Sequence, residues 1–173
     1  MNKKFELLLD DTIEVFGRKL FRIKAITDFG DVKKGELGGY IEKEENLSHY
    51  GNAWVSDDAR VSDDVLVTAN GRVSGDAWVS DDVVVTGDAR VSGDAWVSGN
   101  AWVESQKDYI VFKNSWSSFR WFTYTRSNKM WRVGCFYGPG QELIEKAYQD
   151  SERSGKCYEA YVNLVLELEK LDD

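Results

Sequence analysis

The side chains that could do bond chemistry are few. A single histidine, His49, and two cysteines, Cys135 and Cys157, stand in a chain of 173 residues. A general base needs a partner that orients it, and none can be identified for His49. The carboxylates come as pairs, Asp57-Asp58, Asp63-Asp64 and Asp81-Asp82. Pairs of this kind sit on turns, in water, where nothing tunes them for acid–base work. The chain carries no Gly-rich phosphate loop, no Cys/His pair in a plausible context and no metal-ligand spacing. Recognition chemistry is richer. Trp54, Arg60, Arg72, Trp78, Arg90, Trp96 and Trp102 all fall at multiples of six. Tryptophan and arginine dominate binding hot spots, and an arginine over an exposed indole is worth roughly 0.5–1 kcal/mol.

That spacing belongs to a repeat. Val recurs at 55, 61, 67, 73, 79, 85, 91, 97 and 103 with no insertion. Four residues after each of the first eight stands a small or modest side chain: Ala59, Val65, Gly71, Ala77, Val83, Ala89, Ala95 and Ala101. A period of six is not helical, and Asp-Asp, Gly-Asp and Gly-Asn pairs are turn chemistry. Ala-x-Val is then a very short strand with its first and third side chains inward. The architecture is a parallel β-helix with coils about 4.8 Å apart. Ile41 and Leu47 fit the inward register, and so does His49, in an incomplete first coil.

The pattern [LIV]-[GAED]-x-x-[STAV]-x over residues 51–104 resembles that of hexapeptide-repeat proteins. The resemblance implies a left-handed triangular helix with three hexads per coil, whereas the general crossover rule favours the right hand. The stretches "ITDFGDVKKGELGGYIEKEENLS" and "FKNSWSSFRWFTYTRSNKMWRVGCFYG" are similar to YdcK-like and phage-encoded proteins of this kind. With three hexads per coil, positions eighteen apart stack. The outward residues form the ladders Trp54–Arg72–Arg90, Arg60–Trp78–Trp96 and Leu66–Val84–Trp102. The turns form acidic edges, Asp58–Asp76–Asp94 and Asp64–Asp82–Asn100. The ladders can serve as coil-to-coil stabilisers or as an interface. The carboxylates can cap turns or, less well because arginines interrupt the field, imitate phosphates. Trp96 is expected at an interface, and Trp102 is expected to seat the C-terminal segment beyond the repeat.

Both ends of such an array need covering. The sequence predicts an N-terminal β cap over residues 1–40, with strands "KFELLL", "TIEVF" and "KLFRIKAIT" and turns at Asp10-Asp11 and Gly17-Arg18. The β-helix occupies 41–104. An α+β module comes next, over 105–173: a three-stranded meander ended by Gly138-Pro139-Gly140, then two helices. The fold class is thus mainly β. With helices on one meander face, the other is expected to be free. It would draw on Trp116, Arg120, Trp121, Tyr124, Arg126, Lys129, Trp131 and Arg132, although half the aromatics must be core. Basic residues interleaved with aromatics hold single strands and phosphorylated ligands.

The net charge of −8 is unevenly spread. Residues 51–104 carry ten acids against three arginines, net −7, and residues 105–141 carry six bases against Asp108, net +5. Such segregation implies two binding faces or two parts that bind each other. The cysteine usage fits a reducing compartment. Asp10 and Asp11 interrupt the only early apolar stretch, so a cytoplasmic location is expected, the host's cytoplasm under the phage resemblance.

These residues leave three functions open. The first is a non-catalytic binding protein of mobile-element type that engages, as an inhibitor, a host protein or a defence or nucleic-acid-processing complex. It needs no cofactor and no metal, and it could self-associate as a dimer or trimer. The second, implied by the resemblance, is an acyltransferase using His49, although the unbroken repeat has no extruded loop. The carbonic anhydrases of this fold need three zinc-binding histidines and are excluded. The third is a sponge for a small signalling nucleotide, held between subunits or by Arg126, Lys129 and Arg132.

Overall fold

In the computed structural model, which describes residues 2–172, the chain opens with an antiparallel hairpin, β1 (Phe5–Val15) and β2 (Arg18–Ala25), and continues into β3 (Leu37–Ile41). The turn expected at Asp10-Asp11 is instead an irregularity inside one 11-residue strand, where the register shifts between Leu8 and Thr12. Extra residues on one strand bulge outward and the ladder resumes beyond them. The reversal comes at Phe16-Gly17, both with positive φ (48° and 76°), as a tight hairpin turn demands.

Nine two-residue strands come next at the six-residue period: β4 (Trp54–Val55), β5 (Arg60–Val61), β6 (Leu66–Val67), β7 (Arg72–Val73), β8 (Trp78–Val79), β9 (Val84–Val85), β10 (Arg90–Val91), β11 (Trp96–Val97) and β12 (Trp102–Val103). They stack in parallel as three faces, β3-β5-β8-β11, β4-β7-β10 and β6-β9-β12. The hairpin extends the first face, and β3 already pairs with β5, so the solenoid starts at the edge of the cap. Every inward Val and Ala of the repeat is buried. Each buried Val adds roughly 1.5–3 kcal/mol over an exposed one.

The turns explain the paired polar residues. Asp57, Asp63, Ala69, Gly75, Asp81, Gly87, Gly93 and Gly99 occupy the same turn position, and all have positive φ. Gly and Asp meet that demand at low cost. Turn capping falls to this first residue of each pair. The Asp57 carboxylate accepts from the Gly75 N–H, Asp63 from Asp81, and Asp81 from Gly99, at 2.9–3.1 Å. The edges Asp58–Asp76–Asp94 and Asp64–Asp82 lie exposed beside them.

Each coil donates its strand N–H groups to the carbonyls of the next, as Trp78 does to Ala95. The first coil therefore lacks donors and the last lacks acceptors. At the first, Lys4 Nζ donates to the carbonyls of Ala53 (2.8 Å) and Gly51 (3.4 Å). The Asn46 amide donates to those of Asp63 and Val65.

The last coil rests on a meander of four strands, β13 (Tyr109–Lys113), β14 (Trp121–Thr125), β15 (Met130–Val133) and β16 (Phe136–Pro139). The expected third strand is thus two, because Gly134, at φ 55°, turns the chain within it. Helices α1 (Gly140–Asp150) and α2 (Glu152–Asp172) cover one meander face. Phe122, Tyr124, Trp131, Leu143, Tyr158 and Val165 form the core between them. The other face is not free, contrary to expectation, but closes the solenoid. Tyr109 and Val111 pack on its core. The hydroxyls of Thr123, Ser127 and Tyr109 accept from the N–H groups of Trp96 (3.0 Å), Trp102 (2.8 Å) and Ser92 (3.3 Å). Gly99 makes the fit possible, since a Cβ there would lie 1.7 Å from the Tyr137 hydroxyl. No described helix is long and apolar enough to cross a membrane.

Candidate binding faces of the solenoid

The three outward ladders form in the expected register, but they meet different fates. On the first face Tyr40 precedes Arg60, Trp78 and Trp96. The Arg22 guanidinium lies 4.3 Å from the centre of the Tyr40 ring, and that of Arg132 lies 3.7 Å from the Trp96 ring. Trp78 and Trp96 stack with centroids 4.5 Å apart and planes 5° apart. Their indole N–H groups donate to Ser62 and Ser80. Phe16, at the hairpin tip, lies against Trp78 at 5.0 Å. This ladder is a seam between both caps and the coils, so Arg60, Trp78 and Trp96 are only partly accessible. Burial also pushes the Arg132 pKa down.

On the second face Trp54, expected to contact a partner, is only 1% exposed. The loop after β2 folds over it, with Phe29 edge-on at 5.4 Å. Beneath it stand Arg72, which bonds to Asp31, and Arg90, which is exposed.

The third face is the open one. Leu66 is 38% exposed, Val84 half-buried and Trp102 51% exposed, with Tyr50 exposed beyond. The seating role expected of Trp102 therefore falls to Trp96. Trp96 seats the C-terminal module through its ring and N–H, while Trp102 gives the module only its N–H and turns its ring to solvent. Exposed carboxylates rim this face: Asp64, which pairs with Lys43, and Asp82 on one ridge, Asp88 and Glu104 on the other. Trp102 Nε1 donates to Glu104 at 2.9 Å.

Within the module the expected basic surface shrinks. Arg126 pairs with Asp172 at 2.6 Å and Lys129 with Glu169 at 3.2 Å. Glu169 also accepts from the Tyr124 hydroxyl, whose pKa is raised by burial and then by that carboxylate. Trp116, Tyr124 and Trp131 belong to the core region. Arg120 and Trp121 remain exposed, with Lys113 5.4 Å from the centre of the Trp121 ring. The residues expected to hold a nucleotide, Arg126, Lys129 and Arg132, are thus engaged within the chain.

His49 has the partners the sequence did not reveal. Its ring stacks on Phe5 at 4.3 Å. Nδ1 accepts from the Lys4 N–H, and Nε2 lies 2.8 Å from Glu44. A nitrogen that accepts from a backbone N–H is unprotonated, so Nε2 carries the proton toward Glu44. The hydrogen bonds from Lys3 and then His49 hold the Glu44 pKa low. Both ring nitrogens are thus engaged within the cap. Among the described residues no cluster of His, Cys, Asp and Glu could hold a metal ion, and both thiols are free.

Three stacked faces of six-residue repeats define a β-solenoid protein. Residues 89–105, which span β10, β11 and β12, match the family described as YdcK beta solenoid repeat. No curated protein matches the chain.

Proposed function

We propose that the protein is a non-catalytic binding module whose open third face docks a protein partner. The observation that carries this reading is the exposure of Trp102 at the end of the Leu66–Val84 ladder, between two acidic ridges. A half-exposed indole on a flat apolar stripe is hot-spot chemistry. The carboxylates on the rim select the partner: an apolar segment flanked by Lys and Arg. They oppose a second copy, whose rim has the same sign. The phage-type resemblance supplies the setting. A host protein that handles nucleic acid carries the basic surface such a rim would attract, and occupying it would inhibit that protein.

The test is titration with a helical Leu/Lys peptide and its Leu/Glu counterpart. The Leu/Lys peptide should bind, more weakly as salt rises. Trp102→Ser should weaken it about tenfold or more, the scale of a hot-spot truncation. Equal binding to Trp102→Ser, or a preference for the Leu/Glu peptide, would overturn the proposal.

A further inference from the structure

The second face holds an arrangement that the docking proposal does not use. β7 pairs with β10, which sets Arg72 beside Arg90 at about the 4.8 Å strand spacing. Like charges directly opposite one another destabilise a sheet unless something answers them. Asp31 answers Arg72, from an exposed position on the loop that covers Trp54. Among the described residues Arg90 has no carboxylate partner within ion-pair distance. The two guanidinium groups, Asp31, Ser56 and Ser74 line an open hollow of about 150 Å³. The backbone N–H groups of both serines bond to the coil below, so their hydroxyls are what they offer the hollow.

Two guanidinium groups face one carboxylate at this hollow, and Asp88 lines the adjoining one beside Arg90. The Asp31 pKa is lowered first by its hydrogen bond to Arg72, with the charge of Arg90 contributing. Lys4 lies near enough that the charge of Arg72 adds to burial in lowering its own pKa. A carboxylate already occupies the Arg72 side of the hollow, and Arg90 and two hydroxyls surround the remainder.

We infer that the Arg72–Arg90 hollow is an oxyanion site for a phosphate group, with Asp31 as a built-in competitor. A phosphate accepts from two guanidinium groups and two hydroxyls at once, which a single carboxylate on a loop does not. Inorganic phosphate and a phosphate ester share this chemistry, and the two are separated by the choice of probe.

The test is calorimetric titration of the full chain with inorganic phosphate and with AMP, in chloride buffers of matched ionic strength. Asp31→Asn should bind phosphate about fivefold more tightly than the wild type, and adding Arg90→Gln should remove that gain. AMP binding as well as phosphate assigns the site to esters, and phosphate binding alone assigns it to the free ion. No phosphate binding by Asp31→Asn, or undiminished binding by the double variant, would overturn the inference. If Asp31→Asn unfolds, wild type and Arg90→Gln are compared by thermal melting. A phosphate-specific rise in Tm confined to the wild type is then required, and an equal rise or none overturns the site.

Discussion

Lys4 is the residue on which the N-terminal closure turns. A cation is buried there because two carbonyls of the first coil, Ala53 and Gly51, need a donor the chain above does not supply. Burial, and then the charge of Arg72, lower its pKa from 10.5 to about 8. Between those values the unfolded chain holds the proton more often than the folded one, so folding stability rises with pH across that window. The gain is complete above about 10.5 and is lost as pH falls through about 8. Lys4→Met lacks this dependence. The stability difference between wild type and variant, measured by urea unfolding, should therefore grow in favour of the wild type from pH 8 to 10. At pH 7 the variant should lose about 1–3 kcal/mol, the cost of orphaned buried carbonyls. None of this was legible in the sequence, where Lys4 is the first residue of the expected strand "KFELLL". Its burial arises only when β1 and the loop after β2 close over the first coil. His49 is similar: the six-residue count places it inward at a Val position, but Leu47 holds that position opposite Val67, and His49 meets Phe5, Glu44 and the Lys4 N–H only through the fold.

At the scale of elements, the repeat was legible because the side-chain period fixes both register and face. Eighteen residues separate every stacked pair from Trp54 onward, so Trp54, Arg72 and Arg90 fall into line without knowledge of the rest, whereas Tyr40 and Leu47 in the incomplete first coil stack twenty residues before Arg60 and Val67. The caps were legible only as a need. Their means are ordinary hydroxyls whose role depends on where a coil ends. Thr123 stands on β14 between Phe122 and Tyr124, which face the helices, so it must face the solenoid. There it accepts the Trp96 N–H that would otherwise have met a further coil. Thr123→Val keeps the shape and removes the acceptor. It should cost about 1–3 kcal/mol, while Thr123→Ser should cost less, since the hydroxyl remains. Amide exchange at Trp96 should quicken in the valine variant and stay slow in the serine one. Equal exchange in all three would mean that the last coil holds its edge without the meander.

At the scale of the whole molecule, the segregated charge that suggested two parts binding each other is mostly answered elsewhere. Arg126 and Lys129 pair with α2 inside their own module, and the module's cationic contact with the solenoid is Arg132 on Trp96. What joins the parts is the supply of acceptors to a strand edge. The meander covers the last coil and answers the N–H groups of Ser92, Trp96 and Trp102 with hydroxyls and that of Glu104 with Asp108, and the open apolar face of the solenoid is rimmed by carboxylates. The intact chain should therefore run as a monomer in light scattering at moderate salt. A chain ended at Glu104 should not, because the N–H groups of Ser92, Trp96 and Trp102 and the apolar underside of the last coil become free for pairing. That shortened chain should form larger species at any salt, since edge pairing and apolar contact need no charge. If instead the intact chain dimerises and Trp102→Ser restores the monomer, the third face is covered by a second copy and the acidic rim does not decide its partner.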